Sequence, residues 1–146
     1  MDILLQNHTG ALVQSASLVE LVKKVLSHLK SHINNQKDSL TVVFVSAAKM
    51  QDLNSKYRNK DYVTDVLSFS ADDESMGELV FCIDKMRVQA KENVHSLESE
   101  FLYLLIHGIL HLNGFEHENN AEEAKRMFKI QDDVFAVLNT DVMALF

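Results

Sequence analysis

His107-Gly108-Ile109-Leu110-His111-Leu112-Asn113-Gly114-Phe115-Glu116-His117 sets three histidines around a glycine. The run before it, Phe101-Leu102-Tyr103-Leu104-Leu105-Ile106, is apolar nearly all round. That predicts a buried helix, capped by Ser96 and running to about Asn113. Residues four apart on a helix sit one turn apart on one face, about 5–6 Å between Cβ atoms. His107 and His111 can therefore grip one metal ion. Gly114 can adopt the left-handed conformation that ends a helix and turns the chain, bringing His117 back as a third ligand. Three imidazoles on Zn²⁺ leave a fourth position for water, which marks a catalytic rather than a closed site, and can lower that water's pKa to about 7.

The order H-x-x-x-H-x-x-G-x-x-H is also the ligand spacing of metzincin proteases, in which a glutamate after the first histidine acts as general base. Here that place holds Gly108, so the ligands are kept and the peptidase base is absent. With 7 histidines in 146 residues, three at this spacing would arise by chance roughly 0.015 times per chain. Unpaired imidazoles on so apolar a helix would be costly. A metal centre is thus expected rather than three core histidines. His28 and His32 are also four apart, but they flank the apolar stripe of another predicted helix and no third ligand follows. They are expected to be boundary residues. His8 and His95 are expected at the surface or at a cap, and Cys82 as a small buried hydrophobe.

Outward from this motif, residues 3–5 read as a first strand. A helix is expected over 17–34, opened by a Ser17–Glu20 capping box and followed by Leu18, Leu21, Val22, Val25, Leu26, Leu29 and Ile33 at helical spacing. Residues 40–45 are β-branched and apolar, a buried strand. A short helix over 47–57 and strands over 64–70 and 78–83 follow, the last two joined by a turn at 72–75. Helices are then expected over 84–93, 96–113 and from an Asn120–Glu123 cap to about 138. Early strands and late helices predict an α+β fold: one mixed sheet packed against several helices, one of them a zincin-like metal-binding helix. No linker or repeat divides residues 1–146, so a single domain is expected. A hydrophobic fraction of 47% and a charged fraction of 24% exclude a disordered or low-complexity chain. The single cysteine excludes an internal disulfide and points to a reducing compartment. No secretory signal and no apolar run of membrane-spanning length is present, so a cytoplasmic location without membrane association is expected.

A net charge of −7 speaks at first against a nucleic-acid partner. The charge is uneven, however. Residues 1–70 hold 8 Lys/Arg against 6 Asp/Glu, and residues 71–146 hold 6 against 15. Within the first half, Lys49, Lys56, Arg58 and Lys60 cluster with Tyr57 and Tyr62. Arginine offers a rigid fork of donors suited to phosphate oxygens, and tyrosines can stack bases. On composition alone this segment reads as a solvated helix end and a turn. Beside a metal site, its arginine suits phosphodiester hydrolysis.

Taken with Tyr57-Arg-Asn-Lys-Asp61, Thr64-Asp-Val-Leu-Ser-Phe69 and Gln89-Ala90, the histidine motif closely resembles the YbeY family of bacterial endoribonucleases and rRNA maturation factors. The resemblance implies one zinc per chain on His107, His111 and His117, and cleavage of single-stranded RNA. It implies roles in maturing the 3′ end of small-subunit (16S) rRNA and in ribosome quality control. Single-stranded RNA, rRNA and the ribosome or its small-subunit precursor are the expected partners, with no DNA. The family's important arginine falls on Arg58. Glu116 is expected to orient a ligand or relay a proton, and Asp65 to support a metal-bound histidine from behind. Three positions depart from the family: Val63 where proline is usual, Glu78 where aspartate follows the glycine, and Glu116 where aspartate precedes the last histidine. The two rival readings are a metallopeptidase-like hydrolase using Glu116 or Glu118 as base, and a non-catalytic ribosome assembly factor stabilised by zinc.

Overall fold

The structure, a computed structural model, describes residues 1–146. In chain order it contains β1 (Asp2–Asn7), α1 (Ser15–His28), β2 (Ser39–Val45), α2 (Ala47–Arg58), β3 (Val66–Ser70), β4 (Ser75–Cys82), α3 (Ile83–Glu92), α4 (Leu97–Leu112) and α5 (Ala121–Leu138), with a short 3₁₀ turn at Asn139–Asp141. The four strands form one sheet in the order β1-β2-β4-β3. β1, β2 and β4 run parallel, and β3 pairs antiparallel with β4. The architecture is the α+β mixed sheet with packed helices that the pattern predicts.

Period-two alternation in β2 and β4 explains why both faces of the sheet are covered. Val42, Phe44, Leu79 and Phe81 point into the main core with α1, α4 and α5. Val43, Val45, Val80 and Cys82 point the other way, onto Leu67 and Met50 of α2. Phe44, Phe81 and Phe101 pack as tilted rings at the centre, centroids 4.8–5.8 Å apart, and Phe146 closes edge-on against Phe44 and Phe101. Between Ser39/Thr41 of β2 and Ser75/Glu78 of β4 the register slips by a bulge at Gly77. Gly77 has φ +134°, and a Cβ there would sit 2.3 Å from the Phe69 carbonyl oxygen, so only glycine fits. Glu78 beside it is exposed, which explains why the longer acid is tolerated.

α4 is the pillar of the molecule. Ser96 caps it, its side chain accepting from the Ser99 amide at 3.0 Å. Leu102, Leu105, Ile106, Ile109 and Leu110 are completely buried, each worth about 1.5–3 kcal/mol of burial. Asn120 caps α5 as expected, accepting from the amides of Glu122 and Glu123.

Several expectations are corrected. The helix expected over 17–34 starts at Ser15 and stops at His28. Ser17 lies inside it, and Gln14 takes the cap position with no side-chain bond, so the capping box does not form. The stop has a physical cause. The Asn35 side chain donates to the Lys30 carbonyl, and the Asn34 amide donates to Asn113 Oδ1, bonds that replace the helical ladder. Ile33 still packs on the core, but from a turn. The strand expected from residue 64 starts at Val66, because Asp65 turns its Oδ1 onto the Val66 amide. β4 starts three residues earlier than residue 78, and Ile83 opens α3 instead of ending the strand.

Candidate metal centre

His107 and His111 project from the last turns of α4, and Gly114, with φ +92°, reverses the chain after it. The Gly114 amide bonds back to the His111 carbonyl at 3.1 Å and the Phe115 amide to the Leu110 carbonyl at 3.1 Å, a helix stop that leads straight to His117. Ring centroids lie 4.6 Å apart for His107–His111, 5.1 Å for His107–His117 and 4.9 Å for His111–His117. One nitrogen from each ring falls within 4.8 Å of the others.

Two observations test whether this nest suits a metal ion. His117 Nδ1 is buried and has no hydrogen-bond partner, a cost that needs compensation. His107 Nδ1 faces Gln131 Oε1 at 3.1 Å. Gln131 is fully buried and its amide nitrogen is aimed at the Tyr103 carbonyl. Its oxygen can only accept, so His107 carries its proton on Nδ1 and leaves Nε2 free as a ligand. Burial pushes the pKa of His107 and of His111 down, which favours the neutral rings a metal requires. The donor set fits.

The nest opens on a cavity of about 680 Å³ whose lining includes Arg58, Asp65, His107, His111, Glu116 and His117. Every site residue read from the sequence thus meets in one place. Arg58 comes from the end of α2; its Nη2 donates to the Ser68 carbonyl at 2.7 Å and its guanidinium lies 5.2 Å from the Phe69 ring. Those two anchors aim the arginine, and its Nη1 makes only a long 3.5 Å bond to the Tyr57 carbonyl. Asp65 accepts from the Val66 amide and from the Gln89 side chain at 3.0 Å, and bonds to none of the histidines. Gln89 in turn donates to Glu100, a buried carboxylate that also receives Asn93 and pairs with His95. His95, expected at the surface or a cap, therefore serves the interior of the α3–α4 corner. Glu116 Oε1 accepts from the amides of His117 and Glu118, bonds that hold its carboxyl below the usual range. The Glu116 amide donates to Glu123 Oε1, so Glu123 shapes this loop instead of completing a capping box.

Tyr62 lines the cavity, while Tyr57 packs edge-on against Phe69 outside it. His28 ends α1 with its ring on the Lys24 carbonyl, and His32 lies in the turn beyond, so the two share no helix face. Cys82 is fully buried, as expected, and burial pushes its thiol up. Gln131 and Phe128 were missed by sequence reasoning. The signal for Gln131 was present: it occupies the apolar stripe Met127, Gln131, Val134, Leu138, where a polar side chain needs a reason.

Fold and site together define a class: α+β proteins whose zincin-like helix carries a three-histidine nest able to hold a metal ion. Comparison with known proteins narrows this. The family described as Endoribonuclease YbeY matches residues 4–139. Relatives called Endoribonuclease YbeY include one from Phytoplasma australiense, 36% identical over 97% of this chain and 98% of the relative. Another, from Bdellovibrio bacteriovorus, is 37% identical over 99% of both chains. The solution structure of TM1509 from Thermotoga maritima aligns with a TM-score of 0.64 and 31% identity, over 91% of this chain and 86% of that one. The chain belongs to the YbeY family.

Proposed function

We propose that this protein is a zinc-dependent endoribonuclease specific for single-stranded RNA. We also propose that it acts on ribosomal RNA, in 3′-end maturation of the small-subunit (16S) species and in ribosome quality control. The observation that carries the nuclease reading is the shared cavity, where an arginine fork and a three-imidazole nest face one volume.

His107, His111 and His117 would hold the ion. When bound, it supplies Lewis acidity toward water and a phosphoryl oxygen, and positive charge that offsets the carboxylates of Asp65, Glu116 and Glu118 in the cavity. Arg58 grips the scissile phosphate and stabilises the charge that grows in the transition state. Its anchoring on Ser68 and Phe69 limits the rotamer freedom lost on binding. Gln131 fixes the proton on His107 Nδ1. Glu116, held ionised by two backbone amides, places the His117 backbone and is a poor proton donor. Asp65, clamped by Gln89, is one of the cavity carboxylates that can accept a proton, beside Glu118.

A peptidase reading finds no support at Gly108. A Cβ there would sit 2.7 Å from Leu79 Cδ2, so a glutamate in the metzincin base position would force Leu79 to move. The test is metal analysis with single-stranded RNA and casein as substrates for wild type, Arg58→Ala and His111→Ala. Arg58→Ala is expected to keep its zinc and lose about 10²–10³-fold in RNA cleavage. His111→Ala should lose both, and casein should stay intact. Loss of zinc in Arg58→Ala would refute the division of roles, and full rRNA processing by His111→Ala in cells would favour a non-catalytic assembly factor. Direct attack by water leaves no 2′,3′-cyclic phosphate, so such ends in most product would move the nucleophile to the RNA 2′-hydroxyl.

A further inference from the structure

Phe128 is the large apolar side chain at this site that packing does not explain. It stands on α5, one residue past the buried Met127, with 37% of its surface exposed. Its ring lies nearly parallel to His107, centroids 6.2 Å apart, and edge-on to His117 at 5.8 Å. It lines the same cavity as Tyr62, which arrives from the loop before β3 and is 53% exposed. An aromatic pair from two unrelated elements thus opens on a volume that also holds Arg58 and Lys60. Cations for phosphates and exposed rings for bases are the two components of a single-strand binding groove.

We infer that Phe128 and Tyr62 are base-stacking platforms, each receiving an unpaired nucleobase of the RNA next to the scissile phosphate. The inference rests on the proposed nuclease function and supplies the physical origin of its strand preference. A base inside a duplex already has neighbours on both faces and must be unstacked, at a few kcal/mol, before it can lie on a protein ring. A base in a single strand offers its face at little cost. Stacking is indifferent to base identity, so the selection is for strandedness and not for sequence.

The rival explanation is that Phe128 only shields the metal nest from water. Leucine separates the two, because it keeps the apolar cover and removes the ring face. With zinc-loaded protein and a short single-stranded RNA, Phe128→Leu and Tyr62→Leu are each expected to raise KM roughly 5- to 100-fold. Zinc content and kcat should change little, and Tyr62→Phe should behave as wild type. An RNA made abasic beside the cleavage site should cost wild type a similar factor and cost the leucine variants little more. Fluorescence anisotropy with a cleavage-resistant phosphorothioate RNA gives the same comparison without turnover. If Phe128→Leu keeps wild-type KM, or if abasic RNA binds as tightly as intact RNA, the stacking role is overturned. Base-dependent binding without cleavage by wild type would sustain the platforms and overturn the nuclease reading. Neither binding nor cleavage would overturn both.

Discussion

At the scale of single residues, Gly108 separates this site from a protease. It follows the first histidine, and its missing side chain faces Leu79, which is fully buried in the sheet. Leu79 Cδ2 and Cδ1 would lie 2.7 and 3.3 Å from an added Cβ. Helix α4 can approach β4 this closely because residue 108 has no side chain. A Gly108→Glu protein is therefore expected to lose about 1–3 kcal/mol to overpacking, with a further cost for the carboxylate it pushes against the core. Its urea midpoint should fall and casein should remain uncleaved. A stable variant that gained peptidase activity would show that residue 108 faces the nest. Gln131 makes the complementary point about a residue that adds nothing to charge. Its oxygen fixes the His107 tautomer. Gln131→Leu preserves volume on α5 and is expected to weaken zinc affinity about 10–100-fold, measured by competition with a chelator. Secondary structure by circular dichroism should be unchanged.

Among elements, legibility followed the range of the interactions that decide them. α4 and its glycine stop were readable because apolar periodicity, the Ser96 cap and the Gly114 turn are local and agree. β2 was readable because a strand covered on both faces is mostly β-branched and apolar, here Leu40 and Val42 to Val45 around Thr41. The end of α1 was not, because its apolar spacing continues to Ile33 while the stop comes from Asn34 reaching Asn113, 79 residues away. The role of Glu123 was misread for a similar reason: its spacing from Asn120 fits a capping box, but its carboxylate serves Glu116. The same rule holds at the site. The ligand spacing and Arg58 were legible as motifs. The Gln131 contact and the Asp65–Gln89–Glu100 chain join elements distant in sequence, so no spacing revealed them. Val63 fills the place of the family's usual proline by packing on the smaller core beneath α2.

On the scale of the whole molecule, the fold spends stability to hold a nest of neutral rings. The core is built by packing α1, α4 and α5 on one face of the sheet. Its apolar surface includes two imidazoles whose burial lowers their pKa from the ordinary 6.5. In the unfolded chain those rings take up protons as pH falls through 6.5, whereas in the folded metal-free protein they do so only at lower pH. Between the two values the unfolded state binds more protons, so stability rises with pH there. It is fully present above 6.5 and is lost as pH falls toward the folded-state value. The metal-free protein is therefore expected to show a lower urea midpoint at about pH 5.5 than at about pH 7.5. Zinc should add to this slope, because it binds only the neutral rings, and at a hundredfold excess over its dissociation constant it should add about 2.7 kcal/mol. A double variant, His107→Leu with His111→Leu, removes both titrating groups. It should show a flatter pH profile and no response to zinc. If its metal-free profile keeps the wild-type slope, the acid sensitivity does not come from these two rings.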